Sequence, residues 1–271
     1  MANKPRVLLL RTAGTNCNVE TAFAFEQCGA EVDQVHLQEL FAGRVRMQDY
    51  HIMALSGGFS YGDDIASGRI FANELRVRLG LDVARFISEK KLIIGICNGF
   101  QILVKAGILP GPFAVGSKTI QTATLFNNDS GKFEDRWVHL QVGGQCVWTT
   151  GLPESIFIPV AHGEGKFIPA DQGVMAALRK NGQIVFSYVN ADGTKPGYPE
   201  NPNGSLEDIA GITDPTGRIL GLMPHPERHF LATQHPFWTR LKAGKGQARS
   251  QYGHGARVFQ NGVDYVKKNL L

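Results

Sequence analysis

No stretch of this sequence approaches the roughly 18–20 apolar residues that a membrane span needs. The N-terminus, MANKPRVLLLRTAG, starts basic, but its apolar run is too short for the h-region of a signal peptide. A cytoplasmic protein is therefore expected. The four cysteines, Cys17, Cys28, Cys97 and Cys146, are scattered, and no C-x-x-C pair exists. That removes the usual zinc spacings, so no metal site is expected. In a reducing compartment disulfides are not expected either. The formal charge of +4 is mild, and no basic stripe with interleaved aromatics points to nucleic acid. A Walker-type phosphate loop is missing too, as are internal repeats and any linker convincing enough to divide the chain.

The chain does have 271 residues, 43% of them apolar and 19% charged, enough to bury a sizeable core. Its 32 glycines exceed an average usage of roughly 7%. Such an excess implies tight turns or places where backbone must approach a ligand.

Arg6 to Leu10 is a continuous apolar run, the pattern of a strand buried on both faces. A polar loop, Thr12 to Asn16, leads into NVETAFAFEQCG, a helix closed by Gly29. EVDQVHL reads as a second strand, HIMALSGG as a third, and VRLGLDVARFISEKK as the helix before the strand LIIGIC. Strands alternating with helices predict an α/β fold with an open, mostly parallel, flavodoxin-like sheet covered by helices on both faces. An additional β-rich segment from about residue 115 to 195 offers WVHLQV, CVWTT, SIFIPVAH and IVFSYV as strands. A loop rich in Pro, Gly and Asn follows, and IAGITDPTGRILGLMPH reads as a hairpin turning at Asp214 to Gly217. In the tail, Phe259, Val263, Val266 and Leu270 fall at helical spacing. One domain over 1–271 is expected, with residues from about 240 to 271 an unassigned extension.

Ligands of open parallel sheets bind beyond the carboxyl ends of the strands. Three strand ends here carry unusual residues: TAGTN at 12–16, SGGFS at 56–60 and GICNG at 95–99. In the last, Cys97 stands between two glycines on a strand-to-helix corner, the form of a nucleophile elbow with sulfur in place of hydroxyl. The helix that begins there aims free amide hydrogens and its positive end at the sulfur, and thiolate is the attacking form. A small thiol packed in a tight turn is the competing reading. Cys28 and Cys146 read as core; Cys17 follows a strand-end loop and could approach the site, but nothing nearby would activate it.

A cysteine nucleophile needs a histidine to carry the proton and a carboxylate to orient it. Of the eight histidines, only His162 and His225 have a carboxylate two residues on. Pro226 pushes His225 toward an extended conformation, where His225 and Glu227 point to the same side. His162-Gly163-Glu164-Gly165 looks more like a docking loop or a solvated turn. His225 and Glu227 are therefore the expected base and orienting acid. Gly58 at a strand end and Asn98 after the nucleophile can offer backbone N–H groups as an oxyanion hole, each typically worth about 3–4 kcal/mol.

With the Ser-Gly-Gly loop, Cys97 and His-Pro-Glu in that order, the sequence resembles the class I, triad-type glutamine amidotransferases. TAGTNCNVE, LSGGFSYGDD (55–64), GICNGFQIL, AHGEGKF, NPNGS (201–205) and MPHPER (223–228) resemble, within that class, the glutaminase subunits of phosphoribosylformylglycinamidine synthase. The resemblance covers most of the chain but not the final thirty or so residues, with their basic stretch Lys242 to Arg249. It implies hydrolysis of L-glutamine to glutamate and ammonia by Cys97, His225 and Glu227, with Gly58 and Asn98 as oxyanion hole. Phe59 and Gln101 are implied as glutamine-pocket residues. It further implies no cofactor in this chain, ATP and Mg being held by a synthetase subunit, and a small bridging subunit as second partner. That synthetase converts formylglycinamide ribonucleotide to formylglycinamidine ribonucleotide in de novo purine synthesis. His162, Glu164, Asn201 and Asn203, in loops the triad does not require, are expected to contact the synthetase or gate ammonia transfer.

Three other readings compete. A glutaminase serving another synthetase, such as that for CTP or GMP, is disfavoured by FSYGDD and NPNGS. A cysteine hydrolase or protease on a related sheet is disfavoured by the His-Pro-Glu strand end. A silent regulatory module would have no need of Cys97, His225 and Glu227 together.

Overall fold

The computed structural model describes residues 4–115, 120–241 and 250–271. The basic stretch from Lys242 to Arg249 lies outside the described residues. Strand β1 (Arg6–Arg11) has four buried apolar residues in a row. It is followed by α1 (Asn18–Gln27), β2 (Glu31–His36), the short α2 (Leu37–Phe41), β3 (Ile52–Leu55), α3 (Arg69–Ser88), β4 (Leu92–Ile96) and α4 (Asn98–Lys105). The β-rich region contributes β5 (Ala123–Phe126), β6 (Glu134–Val142), β7 (Ser155–His162), β8 (Lys166–Pro169), helix α5 (Gln172–Lys180) and β9 (Ile184–Val189). Then come β10 (Ile209–Thr213), β11 (Ile219–Leu222) and α6 (Ala256–Asn269).

Nine strands form one sheet in the order β2-β1-β3-β4-β11-β10-β9-β6-β7. The first five are mutually parallel, and the others run antiparallel to their neighbours. The expected β-rich segment thus mostly continues the parallel sheet; only β5 and β8 stand apart as an antiparallel ribbon. The chain reverses between β10 and β11 at Asp214, whose carboxylate accepts from the amides of Thr216, Arg218 and Ile219 and so closes the turn.

Two expectations change. CVWTT is not a strand: Val147–Thr149 form a single 3₁₀ turn. Trp148 is buried there because its indole N–H donates to the Arg218 carbonyl while its ring meets Phe25 edge-on. The second concerns the tail. Helix α6 buries Phe259, Val263 and Val266, and Phe259 meets Phe25 of α1 at 5.0 Å, so this part of the extension helps to cover the sheet. Among the described residues, no helix is long and apolar enough to cross a membrane.

Candidate active site

Strand β4 is apolar and fully buried, and it ends where Cys97 adopts φ 52°, ψ −107°. A residue with a Cβ rarely takes this conformation, and holding it costs on the order of 1–3 kcal/mol. The neighbours enforce it. A Cβ on Gly95 would press on Gly99 and Leu103, and one on Gly99 would overlap the carbonyl of Leu55 in β3. Cys97 N–H donates to Leu222 O at 2.8 Å, which ties the elbow to the end of β11. The thiol, 5% exposed, points to Ala161 O at 3.5 Å.

Beyond β11, Pro224 and Pro226 flank His225, whose N–H donates to Pro159 O in β7 at 2.8 Å. Its Nδ1 lies 2.6 Å from Glu227 Oε1, with both side chains 1% exposed or less. Burial alone pushes His225 down, but the Glu227 carboxylate and then the Cys97 sulfur raise it well above an ordinary imidazole. Nδ1 is engaged by the carboxylate, so Nε2 is left for Cys97. This is the geometry of a base held in one tautomer beside a nucleophile.

The pair lies at the wall of a cleft of about 570 Å³, lined in part by Gly58, Phe59, Cys97, Gln101, His162, Glu164 and His225. Gly58 has φ +136°, and a Cβ there would lie 2.7 Å from Asn16 N. Among the described residues, no acceptor engages its N–H. Asn98 opens α4, where the first amides of a helix have no partner within the helix. Its side chain is fixed by Ser60 Oγ, which donates to Asn98 Oδ1 at 2.6 Å, and by donation from Nδ2 to Gln101 Oε1 at 2.9 Å. Gln101 in turn donates to Glu164 O at 2.5 Å. Phe59, 46% exposed, faces Phe133 across the mouth at 6.3 Å. Of the site residues expected from sequence, Cys97, His225, Gly58, Phe59 and Gln101 line one cleft, with Glu227 bonded to His225 and Asn98 to Gln101 beside it.

A family model of the CobB/CobQ-like glutamine amidotransferase domain matches residues 4–266. The chain belongs to this glutamine amidotransferase family. A phosphoribosylformylglycinamidine synthase subunit PurQ of Dehalococcoides mccartyi is 46% identical over 269 residues, covering 98% of this chain and 99% of that one. A phosphoribosylformylglycinamidine synthase of Schizosaccharomyces pombe is 32% identical over 277 residues, which span 98% of this chain and 20% of that protein. A chain in the structure of PurLQS from Thermotoga maritima superposes with a TM-score of 0.72 at 31% identity, covering 97% of this chain and 100% of that one.

Three of the residues expected to contact the synthetase or gate ammonia transfer are held within the chain of this amidotransferase: His162 is 3% exposed, Asn203 0% and Asn201 9%. His162 Nδ1 sits 3.1 Å from Asn128 Oδ1, and Asn203 donates to Tyr188 OH at 3.1 Å. Asn201 donates to Asp208 Oδ1 at 2.8 Å and accepts from Gly204 N. The Asn-Pro-Asn-Gly-Ser turn is a buried brace behind the cleft, and His162 is part of the cleft wall. Glu164 differs: its carboxylate faces Lys105 Nζ at 3.6 Å, and Lys105 is buried. Lys105 also donates to Ser67 O at 2.5 Å, so one buried ammonium binds the 63–68 loop to the cleft wall.

One contact of the amidotransferase site, between Cys17 and Arg228, is not legible in the sequence. Cys17 is 2% exposed and lines the cleft. Arg228 donates to its Sγ at 3.1 Å. Both lie within quoted motifs, but 211 positions separate them, and no local pattern announces such a contact.

The histidines give the amidotransferase a pH-dependent stability. Burial, with the charge of His225 adding to it, lowers His162 to about 3, and burial lowers His229 to about 4. Both are neutral when folded but protonate near 6.5 when unfolded. Their contribution is complete above that value and is lost as pH falls toward the folded values, up to about 3 kcal/mol by pH 4 for the fully buried His162 and less for His229. His225, raised in the fold, acts in the opposite sense. We expect the melting temperature to fall steeply between pH 7 and 4.5; a flat profile there would contradict burial of neutral His162 and His229.

Proposed function

We propose that this amidotransferase hydrolyses L-glutamine with Cys97, His225 and Glu227, and that the ammonia serves a synthetase making formylglycinamidine ribonucleotide from formylglycinamide ribonucleotide in de novo purine synthesis. The names carried by its full-length relatives support the pathway. One observation carries the chemistry: a cysteine held at positive φ on a strand-to-helix elbow, beside a buried His–Glu pair, in a cleft.

The steps follow from that arrangement. Cys97 thiolate attacks the side-chain amide carbon of glutamine, and the oxygen, now negative, takes hydrogen bonds from Gly58 and Asn98 N–H. His225 passes the proton on Nε2 to the nitrogen, the C–N bond breaks, and ammonia leaves behind a γ-glutamyl thioester. Water then attacks the thioester as His225 takes its proton, and glutamate is released with the thiolate restored. Glu227 keeps Nδ1 protonated throughout. Phe59 and Gln101 shape the glutamine pocket.

We assign the synthetase-facing surface to the cleft mouth, where Phe59 and Phe133 expose apolar side chains. A small bridging subunit completes the assembly, and ATP with Mg belongs to the synthetase. The whole of 1–271 acts as one glutaminase unit. The test is reconstitution with the purified synthetase and bridging subunits. Glutamine and ATP should then yield formylglycinamidine ribonucleotide, and the Cys97→Ala chain should support synthesis only when ammonium is added. Coupling to a GMP or CTP synthetase instead, with none to this one, would overturn the assignment.

A further inference from the structure

The cleft contains a second thiol for which the glutaminase steps have no use. A methyl group placed on Gly57 would lie 2.8 Å from His225 Cε1, 3.1 Å from Cys17 Sγ and 3.4 Å from Cys97 Cβ. Two cysteines and an imidazole therefore converge on one point above the end of β3. One ligand atom from each of Cys17, His225 and Glu227 lies within 4.8 Å of the others. His225 Nε2 is buried and, among the described residues, has no hydrogen-bond partner, although both thiols are near enough to act on the ring.

From this convergence we infer that Cys17, Cys97 and His225 form an inhibitory site for a thiophilic divalent cation of the zinc class. Two thiolates and one imidazole are a donor set that selects zinc over the hard cations. With Zn–S about 2.3 Å and Zn–N about 2.0 Å, tetrahedral ligand atoms are roughly 3.5–3.8 Å apart, so Cys97 Sγ, directed here at Ala161 O, has to rotate toward Cys17 and His225 to close the site. Glu227 on Nδ1 supplies the carboxylate that metal-bound histidines commonly use to fix their tautomer. Arg228, donating to Cys17 Sγ at 3.1 Å, can keep this hydrogen bond to a coordinated thiolate and offsets part of its charge. Binding M²⁺ releases the protons of the two thiols and the Nε2 proton, where present.

The inhibitory consequence rests on the glutaminase reading, because the cation ties up the attacking sulfur. The binding does not. Cobalt(II) titrated into the reduced chain is the direct probe, since each coordinated thiolate adds a sulfur-to-cobalt charge-transfer band. One equivalent should produce this band, zinc should displace it, and Cys17→Ser and Cys97→Ser should each roughly halve it. Affinity in Cys17→Ser should fall about tenfold or more. A full-intensity band in folded Cys17→Ser, or none in the wild type, would overturn the site. Should Cys17→Ser not fold, wild type alkylated at Cys97 by a glutamine-mimicking electrophile replaces it; that form should retain half the band, and an unchanged band overturns the proposal. In parallel, zinc should inhibit wild-type glutamine hydrolysis at near-stoichiometric levels. A cobalt band without glutaminase activity in the reconstituted complex would refute the glutaminase reading and leave the metal site standing.

Discussion

Cys97→Ala should reduce glutamine hydrolysis by about 10⁴-fold or more while leaving the chain folded. Loss of a nucleophile in a triad has effects of this size, because the partners cannot act without it. Removing one buried sulfur from a site enclosed by Ala161 and β11 leaves only a small cavity. The backbone strain at φ 52° remains with alanine. Glycine at the same position should relieve it. The strain is on the order of 1–3 kcal/mol, and glycine costs roughly 0.5–1 kcal/mol through the unfolded chain. Cys97→Gly should therefore melt at or above Cys97→Ala, with both inactive. Calorimetry of the two variants tests this; a clearly less stable glycine variant would mean that the elbow is not strained.

Glu227→Gln should lower turnover by about 10³–10⁴-fold, with a smaller change in KM. Glu227 accepts from Nδ1 at 2.6 Å in a fully buried setting, so it decides which ring nitrogen faces Cys97. An amide can donate to Nδ1 and stabilise the wrong tautomer, which is where losses of this size arise. The pH profile should move as well. His225 is raised well above the ordinary value because the carboxylate and the Cys97 sulfur outweigh burial. Without the carboxylate, imidazolium is lost at lower pH, and the alkaline limb of kcat/KM should shift down. Stability follows the same sign. The raised His225 contributes fully below about 6.5 and loses that contribution as pH rises through the folded value. Glu227→Gln should thus be more destabilising at pH 6 than at high pH. An unchanged alkaline limb would show that Glu227 does not set the proton on His225.

Much of this was readable along the chain because the parallel strands are continuous apolar runs that end in glycine-rich corners. The elbow at Cys97 and the His-Pro-Glu strand end are local patterns, each fixed by neighbours in sequence. CVWTT is not a strand because aromatic and β-branched residues also suit a turn that buries one indole, and the partners of that indole, Arg218 O and Phe25, are distant in sequence. The burial of His162 and Asn203 is not legible in the sequence, because a polar loop reads as surface unless its partners, here Asn128 and Tyr188, are known. Cys17 can be placed near the site from its strand-end loop, but its neighbours Arg228 and His225, more than 200 positions away, cannot be read from it. Contacts across strand ends are set by topology, which local patterns do not encode.

The central claim is that Cys97, and not Cys17, is the nucleophile of a glutamine-shaped cleft. The direct measurement is intact-mass and peptide mapping after treatment with a glutamine analogue that carries an electrophile at the amide carbon, with the synthetase present. A single adduct on the Cys97 peptide, protected by glutamine and absent from Cys97→Ala, is the expected result. An adduct on Cys17, or one that persists in Cys97→Ala, would contradict it.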